Sequence, residues 1–148
     1  MDPKLPRDFR EFLRLLNTNG VEYLLIGGYA VAYYGYPRTT NDIDIWIARH
    51  SENARRVVMT LRQFGFGGTE LTDELFLREQ TVVRMGIPPM RIEVLTTISG
   101  IDFDQCYRSR VNDMIDGQEV SVISLEHLKI NKSASGRHKD LDDLEHLP

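Results

Sequence analysis

Apolar side chains recur at two different periods along this chain, and the switches between them mark out its elements. Phe9, Phe12, Leu13 and Leu16 fall at helical spacing, with Asp8 and Glu11 placed to form a capping box and Asn19-Gly20 placed to stop the helix. The apolar run from Val21 to Ile26 predicts a strand that leads into Gly27-Gly28. Tyr29 to Tyr34 predicts a short helix, ended by Gly35 and Pro37. From Asp42 to Ile47 the pattern alternates residue by residue and predicts a second strand. Ser51 is placed to cap a helix with the stripe Ala54, Val57, Val58, Leu61 and Phe64, which Gly65 ends.

The second half reads as two hairpins and two helices. Strands from Thr81 to Met85 and from Met90 to Leu95 flank Gly86-Ile87-Pro88-Pro89, and strands from Arg110 to Ile115 and from Glu119 to Ile123 flank the turn signal Asp116-Gly117. A short link over Ile101 to Tyr107 separates the hairpins. Ser124 caps a helix that Gly136 interrupts, and a last helix runs to about Leu147. The order α-β-α-β-α-β-β-α-β-β-α-α predicts an α/β (α+β) fold, a mixed β-sheet with flanking helices.

Length and composition narrow the function classes. At 148 residues the chain reads as one domain, residues 1–148, with a core over about 1–100 and a C-terminal hairpin and helix pair over about 108–147. A net charge of −4 argues against a protein whose main task is coating nucleic acid. Cys106 is the single cysteine, which suits a reducing compartment. The polar N-terminus has no signal-peptide core, and the most apolar run, Val21 to Tyr36, is too short to span a bilayer. These features together predict a soluble, cytoplasmic protein without a membrane partner. No Walker loop follows the glycine-rich turn at Phe64 to Gly68, and the four histidines show no ligand spacing. Arg55, Arg56 and Arg62 read as a solvated helix face.

The second strand carries the candidate chemistry. Side chains alternate across a strand, so Asp42 and Asp44 share one face while Ile43 and Ile45 take the other. Two carboxylates that close repel each other, and a divalent cation is the simplest compensation. Gly27-Gly28 at a strand-to-helix junction opens the backbone to a phosphate. Glu93, on a face with Arg91 and Leu95, needs a partner, either a cross-strand cation or the same metal as the aspartates. Lys129 and Lys132 continue the stripe begun by Leu125 and Leu128, so at least one lysine leaves its helix on the buried side. Asp140 and Asp143 share a face of the next helix and sit near those lysines if the turn at Gly136 is tight.

The glycine pair followed by Asp42-Ile43-Asp44 resembles the nucleotidyltransferase superfamily related to DNA polymerase β. The piece Arg38-Thr39-Thr40-Asn41-Asp42-Ile43-Asp44 looks like the form common in its small prokaryotic members. Asn131-Lys132, Ala134, Gly136-Arg137, Lys139-Asp140-Leu141 and Asp143 resemble a block found in members of the AbiEii-toxin type. The resemblance implies a polymerase-β-like nucleotidyltransferase fold, and a nucleoside triphosphate as co-substrate with Mg²⁺ or Mn²⁺. It also implies Asp42, Asp44 and Glu93 as metal ligands, although the family's third acid is usually Asp. Gly27, Gly28, Arg38, Thr39 and Lys132 would bind the nucleotide, and Asp42 or Asp140 would act as base. The expected reaction moves a nucleoside monophosphate to a hydroxyl of an RNA 3′ end, a protein or a small alcohol. Relatives of this type often serve as toxins or in phage defence, which implies an antitoxin partner. The alternative is a nucleotide-binding regulatory or antitoxin module that kept the fold and lost turnover.

Overall fold

The computed structural model describes residues 4–37, 40–87 and 90–148. Helix α1 (Arg7–Thr18) buries Phe9, Phe12, Leu13 and Leu16, the stripe its spacing predicts. The capping box does not form. The helix starts at Arg7 behind Pro6, which leaves Asp8 inside the first turn, and Glu11 pairs with Arg14 instead. Strand β1 (Tyr23–Ile26) is buried throughout, and α2 (Gly27–Tyr33) begins on the glycine pair itself, two residues earlier than predicted.

Strand β2 (Asp42–Ile47) has the predicted bounds, with Ile43, Ile45 and Ile47 fully buried. It is followed by α3 (Ser51–Phe64). The cap of α3 is His50 rather than Ser51, because its ring Nδ1 accepts from the Asn53 backbone N–H at 3.3 Å. Asn53 ties three segments together. Its Oδ1 accepts from the Glu22 N–H at 2.8 Å, and its Nδ2 donates to the carbonyls of Glu22 at 3.1 Å and Ala48 at 2.9 Å.

Strands β3 (Val82–Met85) and β4 (Arg91–Leu95) form the first antiparallel hairpin, and β5 (Val111–Ile115) and β6 (Gln118–Val122) form the second. Asp116 and Gly117 both adopt positive φ, 49° and 81°, as a tight two-residue hairpin turn requires. The link between the hairpins contains α4 (Phe103–Arg108). All six strands join one sheet in the order β3-β4-β2-β1-β6-β5. Strand β1 runs antiparallel to β2 and parallel to β6, and β2 runs parallel to β4. The sheet is therefore mixed, with flanking helices.

Two helices close the chain. Ser124 caps α5 (Leu125–Ser135) by accepting from the His127 N–H at 3.2 Å, Gly136 reverses the chain with φ 63°, and α6 (His138–His146) follows. Among the described residues, no helix is long and apolar enough to cross a membrane.

Candidate functional site

Strand register builds the first half of the site. In the parallel pair of β2 and β4, Asp44 stands opposite Glu93 and Asp42 opposite Arg91. With Ile43 and Ile45 turned into the core, the two aspartates point to the other face. Asp44 Oδ1 is buried and has no hydrogen-bond partner among the described residues. Burial, followed by the hydrogen-bonding reach and charge of Glu93 and the charge of Asp42, pushes the Asp44 carboxyl up to about 8, while Lys139 pulls the other way. Asp44 forms no ion pair among the described residues, and the charge of Lys139 does not offset its burial.

Arginines answer the other two acids. Arg91 grips Asp42 with two hydrogen bonds, Nε to Oδ1 at 3.1 Å and Nη2 to Oδ2 at 2.9 Å. Arg84, in register with Glu93 across the hairpin, donates its Nε to Glu93 Oε1 at 2.9 Å. The cross-strand cation weighed for Glu93 is thus present. Among the described residues, no three acid, histidine or cysteine side chains are grouped as a metal site. The structure brings Asp44 and Glu93 together and ties Asp42 to Arg91.

The glycine pair lies against these acids. A Cβ on Gly27, whose φ is +69°, would fall 2.0 Å from Asp44 Oδ2, so only glycine fits beside that carboxylate. A Cβ on Gly28 would meet the Thr40 side chain at 3.1 Å. A cavity of about 400 Å³ opens here, lined by Gly27, Gly28, Asp44 and Glu93 and, from α5, α6 and the link between them, by Lys132, Lys139 and Arg137.

The C-terminal helices supply the opposite wall. Lys132 is buried, as its place on the stripe predicts, and its Nζ lies 3.2 Å from Asp140 Oδ1 and 3.0 Å from Asp143 Oδ2. Asp140 also accepts from the Arg137 backbone N–H at 3.2 Å and from its Nε at 2.8 Å. Burial alone would raise the Asp140 carboxyl, but the bonds and charges of Arg137 and Lys132 outweigh it and hold it below the usual carboxylate range. Arg38 and Thr39, the other expected nucleotide contacts, lie outside the described residues.

Sequence reasoning gave no site role to Arg84, Thr97, Ser99, Asn131, Arg137 and Lys139, which line the cavity, or to Arg91, which holds Asp42. For Arg91 a signal existed, since it stands two residues before Glu93 on the same strand face. Asn131, Arg137 and Lys139 lie in the C-terminal block that carries the family resemblance, which was a signal too, whereas Arg84 on β3 and Thr97 and Ser99 beyond β4 reach the cavity through the sheet order.

Comparison with known proteins gives the family and the fold. Residues 6–148 match the family described as nucleotidyl transferase of unknown function (DUF2204). No curated protein matches the chain. Among solved structures, a candidate nucleotidyltransferase from Thermotoga maritima aligns with a TM-score of 0.63 at 19% identity, covering 94% of this chain and 89% of that one. An antigenic nucleotidyltransferase-like protein from Paracoccidioides brasiliensis aligns with a TM-score of 0.55 at 18% identity, covering 92% of this chain and 71% of that one. At those identities the two structures speak for the fold, and the family match speaks for descent. With the match running over nearly the whole chain, and the fold shared with these structures, the chain belongs to this nucleotidyltransferase family.

Proposed function

We propose that the chain transfers a nucleoside monophosphate from a nucleoside triphosphate to an acceptor hydroxyl in a metal-dependent reaction. The observation that carries this reading is the buried Asp44 carboxylate, whose Oδ1 has no hydrogen-bond partner among the described residues, whose Oδ2 lies against Gly27, and which stands in register with Glu93. The carboxylate oxygens of Asp44 and Glu93 are the hard donors a divalent cation of that kind prefers. Asp44 and Glu93 would hold Mg²⁺ or Mn²⁺, with Asp42 joining them, and the ion would supply neutralising charge to the triphosphate.

The chain's own groups do the rest. Backbone at Gly27-Gly28 lets phosphate oxygens come close, because nothing projects there. The acceptor oxygen bonds to the α-phosphorus, the bond from that phosphorus to the bridging oxygen breaks, and pyrophosphate leaves. The hydroxyl proton passes to a carboxylate. Asp42, with 25% of its side chain exposed, suits that role better than Asp140, at 1% and already bonded to two cations.

The test is incubation with Mg²⁺ and α-labelled nucleoside triphosphates in the presence of RNA, protein or small alcohols in separate arms. Label in one arm names the acceptor class. Label in none defeats the proposal. The Arg91 grip on Asp42 favours a second reading, a nucleotide-binding module without turnover, for which the same experiment returns tight nucleotide binding and no transfer. A toxin role in the cytoplasm, held in check by an antitoxin, extends the first reading: expression of the intact chain then arrests growth, and expression of Asp44→Asn does not.

A further inference from the structure

Four cations of the C-terminal segment and the sheet edge stand near the cavity, and they differ in what they are already bound to. Lys132 is committed. Its side chain is 5% exposed, and it pairs with two carboxylates that are each 1% exposed. Moving its ammonium onto a ligand would leave those acids without their shared counter-charge in a low-dielectric interior, a costly exchange. Arg84 is spent on Glu93.

Arg137 and Lys139 are placed differently. Arg137 follows the reversal at Gly136, and its guanidinium is anchored along one edge, with Nε 2.8 Å and Nη2 3.4 Å from Asp140 oxygens. Its Nη1 makes no hydrogen bond among the described residues, and 63% of its side chain is exposed while lining the cavity. An anchored guanidinium with a free edge loses little freedom on gripping an anion and matches the geometry of phosphate oxygens. Lys139 lines the same cavity, is exposed, and forms no ion pair among the described residues.

We propose that Arg137 and Lys139 are the polyphosphate-binding side chains of this cavity, and that Lys132 is a buried positioning residue which, through Asp140, aims Arg137 at the ligand. This rests on the nucleotidyl-transfer reading for the ligand's identity. The chemistry the wall recognises is a chain of phosphates, borne by a nucleoside triphosphate or by free tripolyphosphate. The two cations then meet the phosphates in the same cavity that Asp44 and Glu93 line. The phosphate contact expected of Lys132 from family resemblance is thereby moved to its neighbours.

The test is isothermal titration of wild type, Arg137→Gln, Lys139→Gln, Arg137→Lys and Lys132→Met with a nonhydrolysable nucleoside triphosphate, the matching monophosphate and inorganic tripolyphosphate, all with Mg²⁺. Arg137→Gln and Lys139→Gln should each weaken triphosphate and tripolyphosphate binding roughly tenfold, the loss of one charge-assisted contact. Monophosphate affinity should change far less, and the Lys139→Gln midpoint should hold, whereas Arg137→Gln also gives up its bonds to Asp140 and should melt somewhat lower. Arg137→Lys should restore only part of the loss, since it keeps charge without the anchored fork. If wild type binds the triphosphate and both glutamine variants bind it equally well, this assignment fails and the nucleotide reading stands. If wild type binds tripolyphosphate but no nucleotide, and the glutamine variants lose it, the wall stands and the nucleotide reading falls. Binding of neither by wild type sinks both. A folded Lys132→Met that loses the triphosphate while Arg137→Gln keeps it would return the contact to Lys132.

Discussion

Replacing Lys132 by Met removes an ammonium that bridges Asp140 and Asp143 and puts a similar length of apolar chain in its place. Packing should survive, so the cost is electrostatic. Breaking a buried pair by deleting one partner typically costs about 3–5 kcal/mol, because the remaining charge is left in a poor solvent. Asp140 keeps its bonds to Arg137, which places the expected loss toward the lower end of that range. For a chain of this size each kcal/mol moves the midpoint by roughly 2–4 °C, so the variant should melt on the order of 10 °C early. The pH dependence identifies the cause. Against burial, which raises it, Arg137 and Lys132 hold the wild-type Asp140 carboxyl below its ordinary range; that stabilisation is present above the ordinary range and lost as pH falls, and the variant lacks the Lys132 share. The deficit should therefore be small near pH 4 and grow toward neutrality. Adding Asp140→Asn and Asp143→Asn should recover part of the loss. Urea denaturation of the three proteins at several pH values measures this. A deficit below about 1 kcal/mol, or one that is flat with pH, would refute the reasoning.

Asp44 carries the opposite sign from a salt-bridged carboxylate. Its folded carboxyl lies at about 8 against an ordinary 3.8, so the folded chain binds the extra proton and wild-type stability should decline as pH rises between those values. The decline is at most on the order of 5 kcal/mol, and it should flatten in Asp44→Asn and be offset by Mg²⁺, as pH-dependent melting with and without the ion would record. Gly27→Ala should destabilise by about 1–3 kcal/mol and abolish nucleotide binding, since its Cβ meets Asp44 and its φ is positive; Gly28→Ala, with only Thr40 to displace, should cost less in the same melting series. Arg91→Met should free Asp42 and raise the affinity for Mn²⁺ measured by titration; unchanged affinity would count against Asp42 as a ligand.

Local patterns made much of this legible. The Asp-Ile-Asp-Ile alternation fixes which face of β2 is core, and the completely buried Ile43 and Ile45 agree with it. Asp116-Gly117 announces its turn because few residues accept positive φ in succession. The stripe from Leu125 through Leu128 to Lys132 pointed to a lysine on the inner side, and the two helices across Gly136 place both predicted aspartates on it. What local pattern does not carry is register between strands distant in sequence. That Arg91 lies beside Asp42 follows from parallel pairing of segments about fifty residues apart, which no turn specifies. The cap at His50 escaped notice because Ser51 is the commoner cap type and ring nitrogens are not expected to do this work.

The single amide of Asn53 has a consequence for the chain's chemical lifetime. Spontaneous loss of ammonia would turn its Nδ2 into an oxygen that faces the carbonyls of Glu22 and Ala48, replacing two attractions by two repulsions. The junction of β1, β2 and α3 would loosen from within, although no residue of the cavity had changed. Old preparations should therefore lose cooperativity of unfolding in step with a one-dalton mass gain on the peptide that contains this residue.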